Sequence, residues 1–204
     1  MNIPNAQIPQ AWSNSGASST ASAPRRFRLP PVWRENLESL LWAVALALTI
    51  RTFIIAPFKI PSGSMRMTLI EGDRILVSKF IYHVHPPRRG DIMVFRFPED
   101  PKRSFIKRLV GVGGDAVEIR DGQVMVNGQP LDHQGVFHAN HYTNEGSFGG
   151  AGEIIHVPPD SYYVLGDNSG HSHDSRYWGF VPKRLVIGKA LCIFWPLTRW
   201  RLLR

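Results

Sequence analysis

The sequence of 204 residues contains one cysteine, Cys192, and this scarcity excludes two kinds of architecture. A single cysteine forms no disulfide within the chain and cannot supply a zinc site of four cysteines. Because Cys192 lies at an alternating apolar position in ALCIFW, we interpret it as a core residue. No cofactor is expected from these features.

Acidic residues are scarce relative to basic ones. The chain has 16 Asp and Glu against 24 Lys and Arg, which gives a formal net charge of +8. This balance favours an anionic partner, either nucleic acid or a membrane surface. The basic residues are scattered, as in Arg88-Arg89, and neither a zinc finger nor an RNP-like aromatic pattern accompanies them. We therefore expect contact with membrane lipid and no binding of nucleic acid.

Only one long apolar run is present, and it lies near the N-terminus. About twenty residues that end at Ala56 are long enough to cross a bilayer as a helix. Arginines precede the run, which is typical of a single anchor with a cytoplasmic N-terminus, although the interruption at Arg51 would also suit a buried helix. We predict a transmembrane anchor over residues 35–56, preceded by a disordered basic tail over residues 1–34.

Beyond Pro57 the sequence changes to short alternating runs separated by turn signals, which predicts a mainly β domain over residues 57–197. Asn127-Gly128 is a strong signal for a two-residue hairpin, within a predicted excursion at about 120–157. Residues 198–204 are predicted to form a basic tail that either rests on lipid or is solvated. The predicted strands are DRILVSKFIYHV, GDIMVFRFP, SFIKRLVGV, AVEIR, QVMVN, EIIHV, YYVLGD and KALCIFW.

Histidine is absent around the first candidate for chemistry, the segment PFKIPSGSMRMTL at 57–69. Ser62 and Ser64 flank a glycine there, but the segment is not a G-x-S-x-G nucleophile elbow. One interpretation is a turn in which the serine hydroxyls bond the backbone. The other is a nucleophilic Ser64, which needs a base from elsewhere in the chain.

A candidate base is Lys107 in SFIKRLVGVGGD. Strand alternation places it on one face with Phe105 and Leu109, where desolvation would lower the pKa of its amine. The alternative is a lysine that extends to water. Ser104 and Lys107 match the S-x-x-K signature, but that motif requires a helix, so we reject it here.

The third candidate is the polar loop GDNSGHSHDSRYWGF at 166–180. A salt-bridged turn and a functional loop are both compatible with it. His171 and His173 allow two further hypotheses, a histidine base for Ser64 in a Ser-His-Asp triad or a metal site with His83 and His85. The metal hypothesis lacks a clear third ligand.

In this order, PSGSM, FIKRLVGVGGD and GDNSGHSHDSRYWG resemble the three boxes of the bacterial type I signal peptidases, which are Ser/Lys peptidases. The resemblance extends from about Arg34 to Trp195. It implies an antiparallel β domain behind one transmembrane helix in the inner (cytoplasmic) membrane, with the catalytic domain on the periplasmic side. The implied substrates are exported preproteins, from which signal peptides are removed.

The resemblance also implies a role for each matching residue. Ser64 would be the nucleophile and Lys107 its general base, and Ser62 with the Ser64 N–H would form the oxyanion hole. Ser172 would orient the Lys107 amine. Further implied positions are Asp174 and Arg176, which would hold the loop, and Met65, which would lie beside the substrate cleft.

The chain departs from the family pattern at two positions. Met67 and Gly113 stand where the family usually has proline, and both changes loosen the backbone without removing a reactive group. Two alternatives to a general signal peptidase remain open. They are a specialised relative, such as a conjugative-transfer maturation peptidase, and a non-enzymatic membrane-tethered domain that binds peptides.

Overall fold

A computed structural model describes residues 31–49, 51, 54–131, 137 and 140–203. Residues 1–30 of the predicted tail lie outside the described residues. Helix α1 is described over Pro31–Thr49. The anchor predicted over residues 35–56 extends too far, because Ile55 and Ala56 belong to a strand. Its apolar side chains from Leu37 to Leu48 are exposed. Within the described residues, no helix has both the length and the hydropathy needed to span a bilayer.

The remaining described chain forms two antiparallel sheets, as the sequence predicts for a mainly β protein. The strands of the larger sheet are β1 (Ile55–Lys59), β2 (Arg74–Ser78), β3 (Ile92–Arg96), β4 (Ser104–Val112), β9 (Ser161–Leu165), β10 (Val181–Pro182), β11 (Val186–Trp195) and β12 (Arg201–Leu202). Their order is β1-β2-β11-β3-β4-β9-β10, and β12 pairs with β11. The smaller sheet has the order β7-β6-β5-β8, with strands β5 (Ala116–Arg120), β6 (Gln123–Val126), β7 (Gln129–Pro130) and β8 (Ile155–His156).

Short helical turns connect the strands. The predicted strand DRILVSKFIYHV is wrong at its end, because β2 stops at Ser78 and helix α2 (Ile81–Val84) follows. The Ser78 hydroxyl accepts a hydrogen bond from the Ile81 N–H (3.2 Å), so the chain turns there instead of continuing the ladder. The other helices are α3 (Ser175–Trp178) and the 3₁₀ turns Gly63–Met65, Ser169–His171, Lys183–Leu185 and Leu197–Arg199.

Strand β3 is buried on both faces, which explains why its sequence is almost continuously apolar. Ile92 and Val94 pack into a core cluster with Ile75, Ile106 and Leu203. Met93 and Phe95 point to the other face and pack with Leu109, Tyr162 and Val164. Strand β4 is hydrogen-bonded along β3, and its residues from Ile106 to Gly111 are likewise buried.

The smaller sheet occupies the predicted excursion. Its hairpin between β6 and β7 turns at Asn127 and Gly128, which have φ angles of +53° and +79°. Both residues tolerate left-handed backbone, as a type I′ turn requires. Residues 132–136, 138 and 139 of the predicted polar loop lie outside the described residues.

Residues 198–203 of the C-terminal tail, which the sequence predicts either to rest on lipid or to be solvated, dock against the β domain. Arg199 forms a two-point ion pair with the buried Asp73, with Nε and Nη2 at 2.9 and 3.0 Å from its oxygens. Strand β12 then pairs with β11, and Leu203 returns to the core cluster beside Ile75. The sequence signal failed because ion pairing and strand pairing, not local composition, hold this segment.

Adjacent leucines provide a test of this arrangement. Leu203 is 7% exposed and Leu202 is 60% exposed. We expect Leu203→Ala to lower the free energy of unfolding by about 2–4 kcal/mol, because it leaves a cavity in the core. Leu202→Ala should change it by less than about 0.5 kcal/mol. Denaturant unfolding measures both, and equal effects would contradict the docked C-terminus.

Candidate active site

The side chains of Ser64 and Lys107 meet in the interior of the larger sheet. Lys107 Nζ lies 2.6 Å from Ser64 Oγ, within a hydrogen bond in which the amine donates. Ser64 is 7% exposed in its 3₁₀ turn, and Lys107 is 3% exposed in β4. The structure therefore brings together the two residues that the sequence proposed as nucleophile and base, at a distance suited to proton transfer.

Apolar neighbours surround the Lys107 side chain. Met93 on β3 lies opposite Lys107 in the strand register and is fully buried, and the Phe105 ring centroid is 5.7 Å from Nζ. Burial lowers the pKa of the Lys107 amine from its ordinary value to about 8. The charges of Asp174 and Asp167 act in the opposite direction, and that of Arg176 adds to the lowering. Desolvation is thus the main cause of the shift.

The turn that carries Ser64 is held by the loop after β9. The Asn168 backbone N–H donates to the Ser64 carbonyl (3.0 Å), and its side-chain amide donates to the Gly63 carbonyl (3.0 Å). Gly166 lies so close that an added Cβ would be 2.1 Å from Ser172 Oγ and 2.6 Å from the Ser64 carbonyl oxygen. Only glycine fits at this approach, so the loop and the turn are packed as one unit.

Two buried ion pairs fix the same loop. Asp167 accepts two hydrogen bonds of 2.7 Å from Arg108, the residue after Lys107. Asp174 accepts from Arg176 Nε (2.8 Å) and Nη2 (3.0 Å) and also receives the Gly166 N–H (3.0 Å). Each carboxylate has an arginine partner and further donors, which is the condition for keeping charges in a dry interior.

The other residues proposed from the sequence differ in position. Ser62 is exposed beside Ser64 and has extended backbone (φ −137°, ψ 156°). Ser172 is buried near the turn, but its hydroxyl has no hydrogen-bond partner among the described residues. Met65 is fully buried in the core beneath the turn, where its sulfur accepts from the Asp167 N–H (3.4 Å). This core position differs from the place beside the cleft expected for Met65.

Ser64 and Lys107 open onto a cavity of about 440 Å³, whose wall also includes Ser62, His171 and His173. Neither histidine forms a hydrogen bond to Ser64 within the described residues. His173 instead packs against the Phe97 and Tyr177 rings at 6.1 and 5.2 Å. Across the described parts of the chain, no three His, Cys, Asp or Glu side chains are arranged to hold a metal ion.

Sequence reasoning missed three residues that organise the site, Arg108, Asn168 and Gly166. One signal was available for Arg108, since an arginine in the middle of an apolar strand needs a buried carboxylate partner. Gly166 and Asn168 belong to the box GDNSGHSHDSRYWG, but no role was assigned to them from the sequence, because their roles depend on contacts with the distant turn at Ser64.

The chain is similar in sequence to a known family and to several known proteins. The model of a family described as signal peptidase, peptidase S26, matches residues 33–195. A signal peptidase I of Leptolyngbya laminosa is 42% identical over 172 residues, covering 81% of this chain and 81% of the relative. A probable signal peptidase I-1 of Synechocystis sp. is 40% identical over 182 residues, covering 84% and 89%. A solved structure of a signal peptidase I from Enterococcus faecalis aligns with a TM-score of 0.43 at 33% identity, over 52% of this chain and 97% of that one.

The packing at Gly166 can be tested by adding one methyl group. Gly166→Ala places a Cβ against Ser172 and the Ser64 carbonyl, so we expect the free energy of unfolding to fall by about 1–3 kcal/mol. Gly170→Ala is the matched control, because nothing lies within 4 Å of its added Cβ, and its effect should be below about 0.5 kcal/mol. Similar unfolding curves for the two variants would show that the close approach is absent.

Proposed function

This chain belongs to the signal peptidase family, peptidase S26, and we propose on that premise that Ser64 is its nucleophile and Lys107 its general base. The family defines the activity as that of a serine endopeptidase that removes signal peptides from preproteins, and the resemblance inferred from the sequence is confirmed. The observation that carries the residue assignment is the 2.6 Å contact between Lys107 Nζ and Ser64 Oγ in a buried site.

The proposed reaction uses one amine for both proton transfers. Neutral Lys107 accepts the proton of Ser64 Oγ as that oxygen attacks the scissile carbonyl carbon, and the ammonium then protonates the leaving amine. The peptide C–N bond breaks and an ester to Ser64 remains. Lys107, neutral again, then takes a proton from the water that attacks this ester, and returns it to Ser64 Oγ as the acyl C–O bond breaks. A pKa of about 8 supports this role, because a useful fraction of the amine is neutral near neutral pH.

We assign the oxyanion hole to the Ser62 hydroxyl and the Ser64 backbone N–H. Both belong to the turn that presents the nucleophile, and Ser62 lines the same cavity as Ser64. Donors that are fixed before the reaction stabilise the negative charge that develops on the carbonyl oxygen.

We assign Ser172 to the orientation of the Lys107 amine. Its hydroxyl is buried beside the nucleophile turn without a partner among the described residues, whereas a lysine ammonium has three hydrogens to donate. Asp174 and Arg176 affect the orientation of the Lys107 amine only indirectly, because their ion pair holds the loop that carries Ser172. This arrangement gives the unpaired hydroxyl a function during the proton transfers.

The substrate is proposed to bind as an added strand along β4. Residues 104–107 pair with β3 on one side, whereas pairing with β9 begins only at Arg108, so the other backbone edge of 104–107 is open. The same four residues line the cavity at Ser64. An extended peptide satisfies such an edge with main-chain hydrogen bonds. The signal-peptide side of the cleaved bond would then lie along this edge, which matches the expected substrate class.

We further propose that the protein is anchored in the inner membrane by the apolar segment that includes α1 and ends before β1, with its catalytic domain on the periplasmic side. Exposed apolar side chains in α1 support an anchor. A second set lies near the C-terminus, comprising Trp195, Leu197, Trp200 and Leu202, with Arg201 among them. Aromatic and basic residues of this kind favour the interface between lipid and water.

Substitution of the two central residues tests the catalytic assignment. Ser64→Ala and Lys107→Met should each lower kcat/KM for a preprotein by at least about 10²–10⁴-fold, because each removes an essential proton-transfer partner. His171→Ala and His173→Ala are matched controls from the same cavity, and they should have little effect. A loss in a histidine variant as large as in Ser64→Ala would favour a Ser-His triad instead.

Extraction of membranes tests the anchor. When the full chain is expressed in bacteria, alkaline carbonate should leave it in the membrane pellet, as expected of a spanning segment. Replacing Leu41 and Leu46 with arginine should release it into the supernatant, because charges in the hydrocarbon layer are unfavourable. Release of the unmodified chain by carbonate would contradict the anchor and leave only surface attachment.

A further inference from the structure

The wall of the catalytic cavity carries basic side chains and no acidic ones within the described residues. Arg103, His171 and His173 contribute to it together with Lys107, and the remaining wall consists of serines and apolar residues. Of the basic groups, Arg103 is permanently charged. Asp167 and Asp174, which act on Lys107, are buried and engaged by arginines, and neither lines the cavity. A peptide in this cavity therefore meets one fixed positive charge, that of Arg103, and no negative one among the described wall residues.

Arg103 is held at the cavity wall by its own surroundings. Its guanidinium carbon lies 5.3 Å from the centroid of the Phe105 ring, and that ring stacks on Phe97 at 4.4 Å. Its backbone is pinned on both sides, because its N–H donates to the Asp100 carbonyl (3.0 Å) and its carbonyl accepts from the Phe97 N–H (2.9 Å). No carboxylate pairs with Arg103 in the described part of the chain. Its charge is thus positioned and available to a ligand.

The strand register gives the distance from the reacting bond. Arg103 immediately precedes β4, where its carbonyl still accepts from Phe97 on the neighbouring chain segment, and it comes four residues before Lys107. At a strand rise of about 3.3 Å per residue, the two backbone positions are about 13 Å apart. A peptide extended beside β4 advances at the same rise. With the scissile carbonyl at Ser64, the residue that reaches Arg103 is therefore the fourth or fifth on the signal-peptide side.

From this geometry we propose that Arg103 forms a specificity subsite for an acidic side chain four or five residues upstream of the cleaved bond. The subsite rests on the proposed binding of the substrate along β4. The guanidinium supplies charge and several N–H donors to a carboxylate.

The expected discrimination is modest, because Arg103 is exposed and water screens its charge. Exposed ion pairs typically change an equilibrium by about two- to fivefold. The effect should also decrease as salt is added, because the Debye length shortens from about 10 Å at 0.1 M to about 3 Å at 1 M. A hydrophobic or purely steric preference would not show that salt dependence.

The test measures kcat/KM of the full chain for one signal-peptide substrate with Glu, Gln or Lys placed singly at each position from two to six upstream. With the substitution at position four or five, we expect kcat/KM for the Glu peptide to exceed that for the Gln peptide by about two- to fivefold. The value for the Lys peptide should be below that for the Gln peptide. In the Arg103→Gln variant, the ratio of kcat/KM for the Glu peptide to that for the Gln peptide should be near one. Lys102→Gln is the matched control, since it removes the same charge from the adjacent residue, which does not line the cavity, and it should retain the ratio.

Three results would overturn the subsite. They are equal rates for Glu and Gln peptides with the unmodified protein, a preference that survives in Arg103→Gln, and a maximal effect at residues downstream of the cleaved bond. Failure to cleave any peptide in the series would instead contradict the peptidase assignment itself. The two failures are therefore distinguishable in the same experiment.

Discussion

The rest of the structure depends on one buried contact, the 2.6 Å approach of the Lys107 amine to the Ser64 hydroxyl. A lysine is useful as a base near neutral pH only if its charged form is disfavoured, and burial among Met93, Phe105 and Leu109 provides that condition. The same burial would be unfavourable without a polar partner, and the serine supplies one. The hydrogen bond between the Lys107 amine and the Ser64 hydroxyl thus prepares the proton transfer and also satisfies the buried amine.

Unpaired carboxylates near Lys107 would stabilise its charged form and raise its pKa. Asp167 and Asp174 both raise the pKa of Lys107, but each is paired with a buried arginine, Arg108 or Arg176. These ion pairs also fix the loop that bonds the nucleophile turn through Asn168. Met67 stands where the resemblance leads one to expect proline, so the backbone after the nucleophile is less restricted. The hydrogen bonds from Asn168 to the Gly63 and Ser64 carbonyls hold the preceding turn instead.

The sequence predicts the parts of this protein that are encoded locally. Alternation located most of the strands, Asn127-Gly128 located a hairpin, and residue spacing placed Lys107 on an apolar face. It could not reveal what depends on distant partners. A hydrogen bond to the Ser78 hydroxyl turns the chain at the end of β2. The C-terminal segment is held by Asp73 and by pairing with β11. The position of Ser64 depends on its contacts with Asn168 and Gly166. Met65 looked like a cleft residue in sequence, yet its side chain fills the core.

The pH dependence of kcat/KM tests the role of Lys107 as the base most directly, because this profile reports the ionisation of the free enzyme. The active form of Lys107 is the neutral amine, and its lowered pKa is about 8. Cleavage of one peptide without ionisable groups should therefore rise tenfold per pH unit below that value and level off above it. A rise that is complete near pH 6.5, as for an ordinary histidine, or one that continues to pH 10, as for an ordinary lysine, would contradict the assignment.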